Sequence, residues 1–254
     1  MSILSAIKLY SYSCRDWREV LLSDSSKFWG WAVLDVDPVK YPSQAEALLD
    51  SRILYAVPEI KISHATSPII LEESLLQVVG QGKTPRLKKM TLDLYQDLYH
   101  IDPTLVSRAA LTVQEFVIIG GLSAQLQAIL TGIQDCTNAG LKSLTVESDS
   151  LDLVSWDVLA GAAVKLERLE VRSKLSSVHV EAILVRVAAT QDSRLRRFWY
   201  GSLLSDLSDL SGLDPEVVAQ ALVKLETVGY PSLWVDSQLT RSSLSSPGSE
   251  RPPT

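Results

Sequence analysis

The stretch of this 254-residue chain with the strongest claim to phosphate chemistry is GQGKT, Gly80 to Thr84. A phosphate-cradling loop needs a further glycine five residues before Gly82, so that backbone N–H groups can wrap the anion. It also needs the order strand, loop, helix. Position 77 is Gln77, and the segment follows the apolar run LEESLLQVV and leads into a strand-like one, which reverses that order. The spacing predicts a helix C-terminal loop instead. Gly80 and Gly82 suit left-handed backbone there, and Lys83 suits the negative end of a helix.

Other reactive residue types are scattered. His64, His100 and His179 lie far apart, and neither His-x-x-x-His nor Cys-x-x-Cys occurs, so no metal site is expected. YGSLLS, around Ser202, lacks the second glycine of a nucleophile elbow. Acidic pairs are plentiful, but none stands in an enzyme-like constellation. The expectation is a protein without catalytic activity, metal or cofactor.

Composition sets the class. Apolar residues make up 46% and charged residues 21%, the balance of a globular chain. A net charge of -6 argues against a broad nucleic-acid footprint. No run reaches the roughly 18 apolar residues of a membrane span, and MSILSAIKLYSYSC lacks the basic and apolar regions of a signal peptide. The cysteines, Cys14 and Cys136, are distant, and Asn138, the one asparagine, has no glycosylation pattern after it. A cytoplasmic or nuclear protein with free thiols is expected.

The elements that position any site come from one recurring pattern: apolar, two positions, apolar, one position, apolar. It is clearest as LERLEV (Leu166 to Val171) and recurs as LKSLTV, LRRFWY, LKKMTL and VQEFVI, with weaker copies LETVGY, VPEIKI and FWGWAV. First positions fall at 28, 57, 87, 113, 141, 166, 195 and 225, in steps of 25 to 30 residues. Each copy reads as a strand whose apolar positions face a core. A helix-like segment then follows, as in DPTLVSRAAL, SWDVLAGAAVKL and DPEVVAQALVKL. Asp102, Asp214 and Ser155 are placed to cap helices, and Pro103 and Pro215 stand in the first turn, where a missing N–H costs nothing. Leu105, Val106, Ala109, Val217, Val218, Ala221 and Leu222 are core candidates.

Residues 101–118, 154–171 and 213–230 align with one another without gaps, and LSAQLQAILTGI aligns with SVHVEAILVRVA. The unit is therefore a pair of alternating repeats. The period resembles that of leucine-rich repeats, and the alternation is similar to their ribonuclease-inhibitor-like class. This resemblance implies an α/β solenoid, a horseshoe with a curved parallel sheet inside and helices outside. It would span residues 28–235, between a short helical cap (1–27) and a disordered Ser/Pro-rich tail (236–254). Trp234 and Val235 are placed to cover part of the last strand. The Asn or Cys usual in such repeats three residues past the strand motif is replaced by Tyr95, Gly121, Asp149 and Lys174. Less regular loops and imperfect curvature are expected.

Strand residues between the apolar ones point to the other face and form three columns. One holds Lys89, Glu115, Ser143, Arg168 and Arg197. The next holds Lys61, Thr91, Val117, Thr145, Glu170 and Trp199. The third holds Asp93, Ile119, Glu147 and Arg172. Aromatics and arginines anchor protein interfaces, so a partner site is expected over Glu115, Val117, Ile119, Arg168, Glu170, Arg172, Arg197 and Trp199 on the concave face.

At the other end of the chain, Ser5 to Leu22 reads as a helix with Ile7, Tyr10, Cys14, Trp17 and Leu21 on one face. CRDWREVLLSDSSKFW, Cys14 to Trp29, resembles the last helix and exit of an F-box, with Cys14, Trp17, Arg18 and Trp29 on that family's positions. The match covers about residues 4–29, and the family's Leu-Pro opening and two earlier helices have no counterpart, so a truncated F-box end is expected. The resemblance implies a substrate-recognition subunit of a cullin–RING ubiquitin ligase. Cys14, Trp17, Arg18 and Trp29 would dock on the SCF adaptor subunit, with a contact weakened by the missing helices. The repeats would hold a protein substrate. A recognition scaffold with no ubiquitin role is the alternative. Neither reading calls for nucleic acid or membrane.

Overall fold

A computed structural model describes residues 33–36, 54, 57–63, 69–94, 101–120, 123–136, 140–148, 151, 154–173, 175, 177–201, 214–230 and 233–236. The N-terminal cap, including Cys14, Trp17, Arg18 and Trp29, lies outside these residues. So do residues 237–254, His64, His100, Ser202 and the four loop positions Tyr95, Gly121, Asp149 and Lys174, while Asp236, the first residue of the expected tail, ends a strand.

Nine strands form one open sheet in chain order. They are β1 (Val33–Val36), β2 (Glu59–Ser63), β3 (Lys89–Leu94), β4 (Glu115–Gly120), β5 (Ser143–Glu147), β6 (Arg168–Val171), β7 (Arg197–Tyr200), β8 (Thr227–Tyr230) and β9 (Leu233–Asp236). β1 to β8 pair in parallel, each with the next. Parallel neighbours require a crossover, and from β2 onward each crossover carries one helix. These are α1 (Ile69–Gly80), α2 (Pro103–Thr112), α3 (Ser123–Asp135), α4 (Trp156–Ala163), α5 (Ser177–Ala189) and α6 (Pro215–Leu222). The arrangement is a solenoid-like α/β fold.

Strand register follows the apolar pattern. Ile60, Met90, Phe116, Leu144, Leu169 and Phe198 are buried and successive across the sheet, and so are Ile62, Leu92, Ile118, Val146 and Val171. Helix residues such as Leu76, Val106, Ile129, Leu159 and Ile183 belong to the same continuous core. Burying one such side chain contributes about 1.5–3 kcal/mol. Of the core candidates, Val106, Ala109 and Ala221 are buried, while Leu105, Val217 and Val218 are partly buried against the core. Leu222 is half-buried. α6 is less enclosed than the earlier helices because no described helix follows it.

A second regularity lies in the backbone. At each junction from β2 to β8 one carbonyl accepts two successive amides of the next repeat. Pro58 O takes Lys88 and Lys89, Lys88 O takes Gln114 and Glu115, and Gln114 O takes Lys142 and Ser143. Lys142 O takes Glu167 and Arg168, Glu167 O takes Arg196 and Arg197, and Arg196 O takes Glu226 and Thr227. A carbonyl has two lone pairs, so one acceptor serves both donors and fixes where each strand begins.

The helices alternate as the sequence does. α1, α3 and α5 have 12, 13 and 13 residues, whereas α2, α4 and α6 have 10, 8 and 8. Asp102 caps α2 by accepting from Thr104 N, and Asp214 caps α6 by accepting from Glu216 N, both at 2.8 Å. Ser155 precedes α4 without a side-chain cap. Its own N–H instead donates to Gln127 Oε1 of α3 at 3.0 Å.

At the other end of each shorter helix, one aligned position reaches back to the preceding longer helix. Thr112 Oγ1 lies 3.2 Å from Val79 O, near the end of α1, and shares its one hydrogen with Ala109 O of its own helix at 2.8 Å. Lys165 Nζ donates to Gln134 O and Cys136 O, at the end of α3. Lys224 Nζ donates to Val187 O, Ala188 O and Thr190 O (3.0, 2.7 and 2.8 Å), at the end of α5. The last carbonyls of a helix have no partner within it, and a cation there also meets the helix dipole favourably.

Three details differ from the sequence expectation, and a fourth, at Ser173, supplies a loop contact where the usual Asn or Cys is missing. β1 starts at Val33, which pairs with Glu59, so the first repeat reads WAVLDV rather than FWGWAV. The two frames overlap in apolar residues, and the bonded register puts Leu34 and Val36 opposite Ile60 and Ile62. Gly82 has the positive φ of a helix-ending turn (67°), but Gly80 does not. Gly80 stays helical, and a Cβ on it would lie 3.1 Å from Arg108 Cβ, so close contact with α2 restricts that position. In place of an Asn ladder, the buried Ser173 hydroxyl accepts from Ser148 N and donates to Ser148 O. Finally, Leu233–Asp236 is a full strand, antiparallel to β8. Two residues separate the pair, a spacing only antiparallel strands can bridge.

Replacing Lys224 or Lys165 by Met leaves helix-terminal carbonyls without their charged donor. Each substitution is expected to cost about 1–2 kcal/mol in urea unfolding, and Lys165→Arg should recover part of the loss. An unchanged unfolding midpoint in either Met variant would remove the clamp from the stability of the fold.

Candidate protein-binding face

The sheet has one face under the helices and one without a described helix over it. Alternation sends residues 89, 91 and 93 of β3, and their counterparts on later strands, to the open face. The bonded register places them in three columns. Lys89, Glu115, Ser143, Arg168 and Arg197 are successive partners, as are Lys61, Thr91, Val117, Thr145, Glu170 and Trp199. Asp93, Ile119 and Glu147 begin the third. Arg172 continues it just beyond β6, its N–H bonded to Val146 O.

Charge is sorted along these columns. On β2 and β3, Lys89 Nζ is 2.7 Å from Glu59 Oε1, and Lys61 lies 4.0 Å from Asp93. On β4 the second and third columns are uncharged, beside the exposed Glu115 of the first. Val117 and Ile119 are half-buried, and Thr91 and Thr145 on either side of Val117 are buried. These short β-branched side chains form the floor of the face.

β6 carries the densest charge. Arg168 donates to Glu170 Oε2 at 2.6 Å, Arg172 Nε donates to Glu170 Oε1 at 2.7 Å, and Arg172 approaches Glu147 Oε2 at 3.5 Å. Glu170 is the enclosed member, with 14% of its side chain exposed against 44% for Arg168 and 54% for Arg172. Burial pushes the Glu170 carboxyl up, but the hydrogen bonds from Arg172 and Arg168 outweigh it and hold the group below its usual value. The same contact with Glu170 raises Arg172 above the ordinary arginine value. Trp199 is the cross-strand partner of Glu170, and Arg197 that of Arg168. On its other flank Trp199 pairs with Gly229, which offers no side chain.

The structure thus brings Arg168, Glu170, Arg172, Arg197 and Trp199 together on β6 and β7. Glu115, Val117 and Ile119 lie on β4, two strands from β6. Glu147 belongs with the first group through Arg172. Its place in one column with Arg172 was the sequence signal for that pairing. Among the described residues no group of three or more His, Cys, Asp and Glu is placed to hold a metal ion. No helix among them is long and apolar enough to cross a membrane. His179 lies on α5, away from the face.

Because Glu170 titrates lower in the folded chain than in the unfolded one, its contribution to stability is complete above the ordinary carboxylate range. It is lost as pH falls from about 4.3 toward the native value. Glu170→Gln should therefore flatten the acid side of the stability–pH curve measured by urea unfolding between about pH 3 and 7; parallel curves for parent and variant would contradict this. No protein-family model, curated protein or solved structure matches the chain.

Proposed function

We propose that this chain is a non-catalytic recognition protein of the leucine-rich-repeat class that binds a protein partner on the open face of its sheet. The observation that carries the reading is the continuous face from β2 to β8. It has an uncharged floor at Val117 and Ile119 and a border of arginine and tryptophan at Arg168, Arg172, Arg197 and Trp199. Aromatic and arginine side chains around a desolvated apolar centre are the usual composition of an energetic interface core. The repeat class is supported by the strand motif, its spacing and the alternating helices.

Within that reading, we propose a substrate-recognition subunit of a cullin–RING ubiquitin ligase. Its support is the F-box resemblance at Cys14, Trp17, Arg18 and Trp29, all outside the described residues. The open face would hold the substrate, and the N-terminal segment would meet the adaptor. The second reading, a recognition scaffold with no ubiquitin role, keeps the face and drops the adaptor.

A pull-down of purified SCF adaptor by the full chain separates the two. The ligase reading expects binding by the parent and loss in a Trp17→Ala, Trp29→Ala double variant whose circular dichroism is unchanged. A folded parent that does not bind the adaptor leaves the scaffold reading.

A further inference from the structure

The first column of the open face ends on two like charges. Arg168 and Arg197 are direct partners on β6 and β7, so their side chains leave the sheet about 4.8 Å apart. Like charges at such positions repel. The enclosed carboxylate beside them is Glu170, and both its oxygens are already engaged, one by Arg168 and one by Arg172. Arg197 is exposed and has no ion-pair partner among the described residues. Three arginines (Arg168, Arg172, Arg197) stand against two carboxylates, Glu170 between them and Glu147 beside Arg172, a local charge of +1 on a chain whose net charge is -6.

We propose that Arg168 and Arg197 form an anion subsite for a protein partner. A carboxylate of an extended acidic segment seats between the two guanidinium groups, beside Trp199. An apolar side chain of the same segment seats on Val117 and Ile119. β4 and β7 are three strands apart, about 14 Å at the usual strand spacing, which an extended chain covers in about four residues. The segment is therefore acidic at one end and apolar about four residues away. Arginine suits this role because its planar fork binds a carboxylate through two hydrogen bonds. A nucleic acid offers anions too, but its phosphates recur along the strand and would meet Glu115 on β4 and Glu147 on β5, whereas the proposed segment carries its carboxylate only at the β6–β7 end. The proposal rests on the open face being the partner-binding face.

Selection of random heptapeptides displayed on phage against the full chain tests it, with Arg197→Ser and a Val117→Thr, Ile119→Thr variant selected in parallel. The variants keep exposed or β-branched residues in the strands, and circular dichroism checks that each is folded. The expected pool is enriched in Asp or Glu about four residues from Leu, Ile or Phe. A synthetic peptide from that pool should bind Arg197→Ser about tenfold more weakly, and the double Thr variant severalfold more weakly. Peptides without acidic enrichment, sensitive to the Thr variant and indifferent to Arg197→Ser, would overturn the anion subsite while leaving the face as the binding surface. No enrichment, or peptides indifferent to both variants, would overturn the subsite and the face together. Binding of a 20-nucleotide single-stranded RNA that Arg197→Ser abolishes would overturn the acidic partner in favour of nucleic acid.

Discussion

The arrangement depends on one backbone constraint: a single carbonyl in each repeat accepts two amides of the next. That shared acceptor fixes the first paired residue of every strand from β3 to β8. A slip of one residue would exchange the two faces, sending Phe116 or Phe198 to the open side and a glutamate or arginine into the core. The buried columns and the open-face columns are thus two results of the same hydrogen bond. Cross-strand pairings such as Lys89 with Glu59 follow from it.

Above the sheet, the helices add a second constraint with twice the period. The longer helices end on carbonyls that nothing in their own helix satisfies. The donor comes from the following shorter helix as Lys165 or Lys224, and at the aligned position Thr112 stands 3.2 Å from Val79 O. These links join α1 to α2, α3 to α4 and α5 to α6, while Ser107 Oγ donates to Ala128 O at 2.9 Å between α2 and α3. A solenoid of this kind gains stability from neighbours. Here each junction from a longer to a shorter helix adds a polar contact at the helix end, neutral in the first and charged in the other two.

What was legible in the sequence was what local periodicity decides. The three open-face columns could be read residue by residue, because alternation in a strand leaves no freedom once the apolar positions are known. Asp102–Pro103 and Asp214–Pro215 announced two helix starts for the same reason: capping acts within a few residues. What escaped depends on distant partners. Lys165 and Lys224 bond carbonyls 29 to 37 residues away, and nothing in their immediate neighbours separates them from surface lysines. Ser173 bonds the backbone of Ser148 in the preceding repeat from a position the strand motif does not mark. The β1 frame was ambiguous because Phe28, Trp31 and Val33 compete with Trp31, Leu34 and Val36, and only pairing with β2 resolves them. At the site, positions were legible, but not the engagement of both Glu170 oxygens, which sets Arg197 apart from Arg168.

The antiparallel strand β9 has a further meaning for how such a chain can lengthen. It reverses direction against β8, so a further repeat appended after it would meet an edge of opposite polarity and could not continue the parallel series. Growth at this end is closed. For length entering between existing strands, the alternation of long and short helices sets the size of the insert. Duplicating a two-repeat block preserves every donor–acceptor partnership, whereas a single repeat would set two long helices, or two short ones, side by side. The gapless alignment of residues 101–118, 154–171 and 213–230 is the trace such a history leaves: a ruler whose divisions come in twos.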